Sequence, residues 1–148
     1  MRESLLGVVV MVAATVPGAA VAAEPARTAV QSVLDASAAA WSAGELDRFM
    51  ECYERDPGTT YVGSGKVVHG YDAIRSMYAG RFGGGDRAAM GVLTLQIVDF
   101  RQLGPDHAYV IGRFALDRDA AHGGPASGST TLVFKRTRAG WRIIADHS

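Results

Sequence analysis

The sequence predicts an α+β domain, with three helices packed on one face of a curved antiparallel sheet. Three observations point there. Apolar residues recur at helical spacing through the first half of the chain. From Met90 the period changes to two, with Leu93, Leu95 and Ile97 alternating with Thr94 and Gln96. The chain closes on GSTTLVFKRTRAGWRIIADHS, Gly128 to Ser148. There, two β-rich runs flank a short polar turn, Thr137 to Gly140, as in an antiparallel hairpin.

Each element has its own signal. Pro25 suits the first position of a helix, and Val30, Val33, Leu34, Ala38 and Trp41 form its apolar stripe before Gly44 ends it. Leu46, Phe49, Met50 and Tyr53 make a second stripe, stopped by Pro57-Gly58. Glu45 and Asp47 stand at its start, where the helix dipole favours acids. Short strands at Thr59–Val62 and Lys66–His69 surround Gly63-Ser64-Gly65. A third helix covers Gly70–Phe82, with Ile74, Met77 and Tyr78 inward, and Gly83-Gly84-Gly85 is a loop. Strands then follow from Met90 and over His107–Leu116, with a polar loop from Asp117 to Pro125 before the closing hairpin.

The hairpin has two faces. With an even turn, Thr130, Leu132, Phe134, Trp141, Ile143, Ala145 and His147 share one face. That face is the better core, because the other would bury Lys135, Arg142 and Asp146. An odd turn would slip the register and put Asp146 on the face of Leu132 instead.

Composition narrows the function. At 148 residues, 48% hydrophobic and 20% charged, the chain is one domain with enough length for a core. Lys plus Arg and Asp plus Glu are 15 each, so the net charge is zero and no basic stripe marks a nucleic-acid partner. The single cysteine, Cys52, excludes an intramolecular disulfide and reads as a small buried residue. Arg2, an apolar run from Leu5 to Val16 and the small-residue run AAVAA form a secretory signal peptide over residues 1–23, cleaved after Ala23. The folded domain is then 24–148, exported to the periplasm or secreted. The apolar run is too short for a dedicated membrane anchor; an uncleaved anchor is the rival reading.

Three stretches taken together resemble a known family. They are WSAGELDRFMECYERDPGTTYVGSGKVVHGYDAIRSMY, Trp41 to Tyr78; LTLQIVDFRQLGPDHAYVIGRF, Leu93 to Phe114; and the ending GWRIIADHS. Their order resembles the SnoaL-like proteins of the nuclear-transport-factor-2 superfamily, and the tryptophan-to-histidine ending is similar to the SgcJ/EcaC-type subgroup. The resemblance implies a cystatin-like cone of curved sheet closed by helices, as in ketosteroid isomerases, and a homodimer. It leaves function open, because the superfamily holds isomerases, cyclases, dehydratases and non-enzymatic binding modules. Members with isomerase or cyclase activity use an acidic base near the first short strand. Here that region reads RDPGTTYVG, and Asp56 belongs to the turn before the strand.

His147 is the sharpest candidate for chemistry, as a general acid or base at the end of an apolar row. A structural histidine is its bland alternative. Trp41, Tyr61 and Tyr78 are candidate pocket residues, alongside Tyr53; for Trp41 and Tyr53, core packing at helical spacing is the stronger reading. Asp99 shares the parity of the inward residues of its strand, unless a bulge turns it to solvent. Arg113, mid-strand, could meet a ligand carboxylate, pair with an acid or face water. His69, His107 and His122 have no metal-ligand spacing, and no nucleotide or other cofactor motif is present. Beside a purely assembly role through the outer sheet face, two readings result: a small exported dimeric module that binds a hydrophobic ligand, or an enzyme of the isomerase, cyclase or hydrolase type built on His147 and a tyrosine. Neither needs nucleic acid, or a membrane once the leader is removed.

Overall fold

The computed structural model describes residues 19–148, with side chains from Pro25 onward. Of the leader expected over residues 1–23, residues 1–18 lie outside the described residues. Helix α1, Ala19–Ser42, runs through Pro25 rather than opening at it, so the helix forgoes the bond that an N–H at this position would make. Its buried stripe is Val30, Leu34, Ser37 and Trp41, at three- and four-residue steps. Gly44, at φ +77°, ends it: its N–H bonds to the Trp41 carbonyl, and the Glu45 N–H bonds to that of Ala40. This reciprocal pair is a Schellman cap, which needs the left-handed backbone glycine adopts freely.

The second predicted helix is shorter than its apolar stripe suggests. Only Leu46–Phe49, α2, is α-helical, and it tightens into a 3-10 turn over Met50–Cys52. Strands β1, Thr60–Gly63, and β2, Lys66–His69, form the small hairpin, and α3 spans Tyr71–Arg81. A one-turn helix with no counterpart in the sequence pattern, α4, covers Arg87–Met90, with the Asp86 carboxylate capping the Ala88 N–H. The remaining strands are β3, Val92–Gln102; β4, His107–Asp117; β5, Ala126–Thr137; and β6, Gly140–His147.

The six strands form one sheet in the order β2-β1-β6-β5-β4-β3. Every pairing is antiparallel except β1 with β6, which is parallel. Helix α1 lies across the concave side, against β3 and β6. The Trp41 indole N–H donates to the Met90 carbonyl at 2.7 Å and ties α1 to α4. Among the described residues, no helix is long and apolar enough to cross a membrane.

Two bulges bend the sheet. In β3, Ile97 pairs with Gly112 and Asp99 with Ile111, so Val98 is an extra residue. In β6, Ile143 pairs with Phe134 and Ala145 with Val133, so Ile144 is extra. Each insertion reverses the facing of everything beyond it. Two sequence-based placements are corrected for this reason. Asp99 leaves the inward row and pairs with Arg101 at 3.0 Å. His147 leaves the core face and is exposed, while Asp146 turns inward and is buried. The turn itself is even, with Thr137 opposite Gly140; it is the bulge that slips the register.

Candidate functional site

Helices and sheet enclose a cavity of about 320 Å³. Its walls are largely apolar. The helical side contributes Leu34, Trp41, Phe49, Tyr78 and Phe82, and the sheet contributes Leu93, Leu95, Phe114, Leu132 and Ile143. The aromatic rings meet edge to face: Trp41 lies 4.8 Å from Phe49 and 4.7 Å from Phe82, centre to centre. This arrangement sets positive ring edges against negative faces and makes a stiff wall. Gly128 keeps the sheet side open. A Cβ there would come within 2.8 Å of the Phe114 ring across the strand, so only glycine lets that ring lie flat along the cavity.

One carboxyl group reaches this apolar space. Asp146 lines the cavity and is buried on the inward row beside Leu132. The Tyr53 hydroxyl donates to its Oδ2 at 2.6 Å. Ser148 Oγ donates to Oδ1 at 2.5 Å, and Thr130 Oγ1 lies 3.3 Å from the same oxygen and 2.8 Å from Ser148 Oγ. Ser148 spends its one proton on Asp146, so the Thr130 proton is shared between the two. Tyr53 likewise spends its proton on Asp146. Its oxygen therefore accepts from the Tyr78 hydroxyl, 3.1 Å away. The result is a chain, Tyr78 to Tyr53 to Asp146, that begins at the cavity wall.

Burial governs the protonation of these groups. It raises the Asp146 carboxyl above its ordinary range, against the opposing pull of its Ser148, Tyr53 and Thr130 hydrogen bonds and the nearby His147. Burial and the adjacent Asp146 charge raise Tyr53 and Tyr78 well above a free phenol, and Tyr61 is raised for the same reasons. The tyrosines stay neutral donors across the physiological range. The Cys52 thiol, also on the cavity wall, is pushed up to about 12 by burial and accepts from Ser37 Oγ at 3.4 Å, which marks an inert thiol.

The predicted site residues divide cleanly. Trp41, Tyr61 and Tyr78 line the cavity together. His147, Asp99 and Arg113 do not; they belong to the convex face, Arg113 fully exposed between Gln96 and Ser129. Asp56 holds a turn, its carboxylate accepting from the Gly58 N–H at 2.7 Å. His107 and His122 pair with Asp106 and Asp119 near the surface. No group of three metal-ligating side chains occurs among the described residues. Sequence reasoning missed Asp146, Thr130 and Ser148 as a unit, and two arginines on the lining, Arg81 and Arg118. The available signal was the run Ile143-Ile144-Ala145, where three successive apolar residues leave the strand's parity undetermined.

A cone of bent sheet over helices is an arrangement that other proteins share. The family model described as a SnoaL-like domain matches residues 30–148. The chain belongs to the SnoaL-like family. Among solved structures, an NTF-2 like protein of unknown function from Shewanella oneidensis superposes with a TM-score of 0.75 at 26% identity, covering 82% of this chain and 96% of that one. A ketosteroid isomerase-like protein from Erwinia carotovora atroseptica superposes at 0.62 with 16% identity, covering 81% and 92%. A putative calcium/calmodulin-dependent protein kinase type II association domain from Thiobacillus denitrificans gives 0.64 at 24% identity, covering 79% and 90%. At such identities, the last two establish a shared fold alone. No curated protein matches this SnoaL-like chain.

Proposed function

We propose that this SnoaL-like protein binds a small, mostly apolar molecule inside the cone, with Asp146 and Tyr78 taking its polar group. The observation that carries the reading is the pairing of an apolar cavity of about 320 Å³ with a single carboxyl group on its wall, whose Oδ2 accepts from Tyr53 and keeps a second acceptor site for a ligand. Pockets of this size and polarity suit small organic ligands. Native mass spectrometry of the protein from its own source should reveal a bound small molecule. Leu95→Trp, which fills the cavity from the sheet side, should abolish that adduct while the protein stays folded. An adduct undiminished in Leu95→Trp would place the ligand elsewhere.

A second reading has one observation in its favour. Burial raises the Asp146 carboxyl above its ordinary range, which makes it a stronger base than a free carboxylate on the cavity wall. In an isomerase- or cyclase-type reaction, Asp146 replaces His147 as the acid-base group. Asp146→Asn separates the readings: binding survives it, and proton transfer does not.

We further propose export with loss of residues 1–23, which mass spectrometry would register as a new N-terminus at Glu24. A homodimer through the convex face accords with Val133 and Ile144 half-buried there among polar neighbours, and with the family resemblance. Sedimentation at micromolar concentration tests it, a monomer being the contrary result. The SgcJ/EcaC-type placement rests on the Trp141–His147 ending.

A further inference from the structure

Two guanidinium groups line the same cavity. Arg81 ends α3, and Arg118 follows β4. Both lie on the ring of Phe82, with Cζ 5.6 and 5.7 Å from its centre. Arg118 is half-buried and held in place: Nε donates to the Gly124 carbonyl at 3.0 Å, and Nη1 reaches the Ala89 carbonyl at 3.5 Å. Gly123 makes room for it, since a Cβ there would come within 3.1 Å of Nη2. These anchors use two of its five N–H groups and leave the rest of the fork to offer.

Neither arginine has a counter-charge. Arg48, Arg75 and Arg101 each sit within 3.0 Å of a carboxylate, whereas no ion pair to Arg81 or Arg118 occurs among the described residues. Asp146 does not serve Arg118. It pairs with Leu132, and Arg118 follows Leu116, whose partner is Ala126. From Ala126 to Leu132 the strand covers about 20 Å, less across the concave face. Apolar side chains, Leu93, Leu95, Phe114 and Leu116, line the cavity along with both groups. A half-buried cation beside an apolar wall and without a counter-charge is offset by an anion that enters with its own apolar body.

We propose that Arg118, assisted by Arg81, binds a carboxylate on the ligand, which makes that ligand an amphipathic organic acid. Its apolar body lies along the sheet, its carboxylate meets the fork beside Phe82, and any uncharged polar group points toward Asp146 and Tyr78. The inference rests on the cone being a ligand site, and the test separates the two claims. Calorimetric titration of the full chain at neutral pH compares 2-naphthoate with 2-acetonaphthone, a neutral ketone of nearly the same shape. The expected result is naphthoate binding at least about tenfold tighter, with Arg118→Gln and Arg81→Gln each erasing most of that preference and leaving ketone affinity unchanged, in keeping with the strength of hydrogen bonds to charged groups. Equal affinity for the two probes, or a preference untouched in both variants, overturns the carboxylate subsite and leaves the cone as a ligand site. Binding of neither probe overturns both. Ketone affinity doubles as the check on folding: if Arg118→Gln loses it, the exposed Arg81→Gln decides.

Discussion

The half of β6 before its bulge and the half after it follow the same alternation and reach opposite outcomes. Before it, Trp141 and Ile143 point inward as the pattern demands. After it, Asp146 takes the place that pattern assigned to His147. The same division runs through β3, where Leu93, Leu95 and Ile97 obey the count and Asp99, beyond Val98, does not. The two displaced residues end on one cross-strand row of the convex face, Asp99–Ile111–Thr131–His147. Alternation assigns a face only as far as the ladder runs uninterrupted. One inserted residue costs the ladder little locally, yet it exchanges an imidazole for a carboxyl in the cavity.

The largest effect should come from the half before the bulge. Trp141 is buried beside the turn, and Trp141→Ala should destabilise the fold by about 3–5 kcal/mol in chemical denaturation. A loss under about 1 kcal/mol would mean the turn end carries no core weight. Next in size is the half after it. Asp146→Ala strips the acceptor from Tyr53, Ser148 and Thr130 and should cost about 1–3 kcal/mol, measured at acid pH where the native carboxyl is neutral.

The pH dependence sharpens the contrast. Because the folded Asp146 carboxyl titrates above its unfolded value of 3.8, the native state holds more protons than the unfolded state between those two values. Its contribution is therefore complete below 3.8 and is lost as pH rises through the folded value. Asp47 and Asp119, whose carboxyls are lowered by Arg75 and His122, act in the opposite sense, so wild type must be compared with Asp146→Asn at each pH. The melting temperature of Asp146→Asn relative to wild type should climb as pH rises through that window; a flat difference would mean Asp146 is not shifted. The smallest effect belongs to His147→Ala, which removes an exposed side chain and should change stability by no more than about 0.5 kcal/mol and leave ligand affinity intact.

Much of the fold was legible. Period and turn chemistry located α1, α3 and all six strands, because these features depend on neighbours close in sequence. Trp41, Tyr61 and Tyr78 were legible as cavity residues because large rings at inward positions must pack somewhere. The parallel pairing of β1 with β6 was not, since it joins residues far apart in the chain. The polar centre was hidden for a related reason. Asp146 looked like a poor core residue, and what makes its burial tolerable is Tyr53, more than ninety positions away, with Thr130 and Ser148. Arg118 was equally silent, because its exposure depends on where Phe82 and the Gly123-Gly124 backbone lie in space.

The central claim is that Asp146, and not His147, is the ionisable group of β6 that reaches the cavity. Carboxyl-carbon NMR of Asp146 across pH, with and without 2-acetonaphthone in the cavity, tests it most directly. The account predicts a midpoint above 3.8 that rises further when the ligand excludes water, while the His147 ring resonances do not shift when the ligand is added. An Asp146 midpoint at or below 3.8 that ignores the ligand, together with a His147 ring that responds to it, would contradict the account.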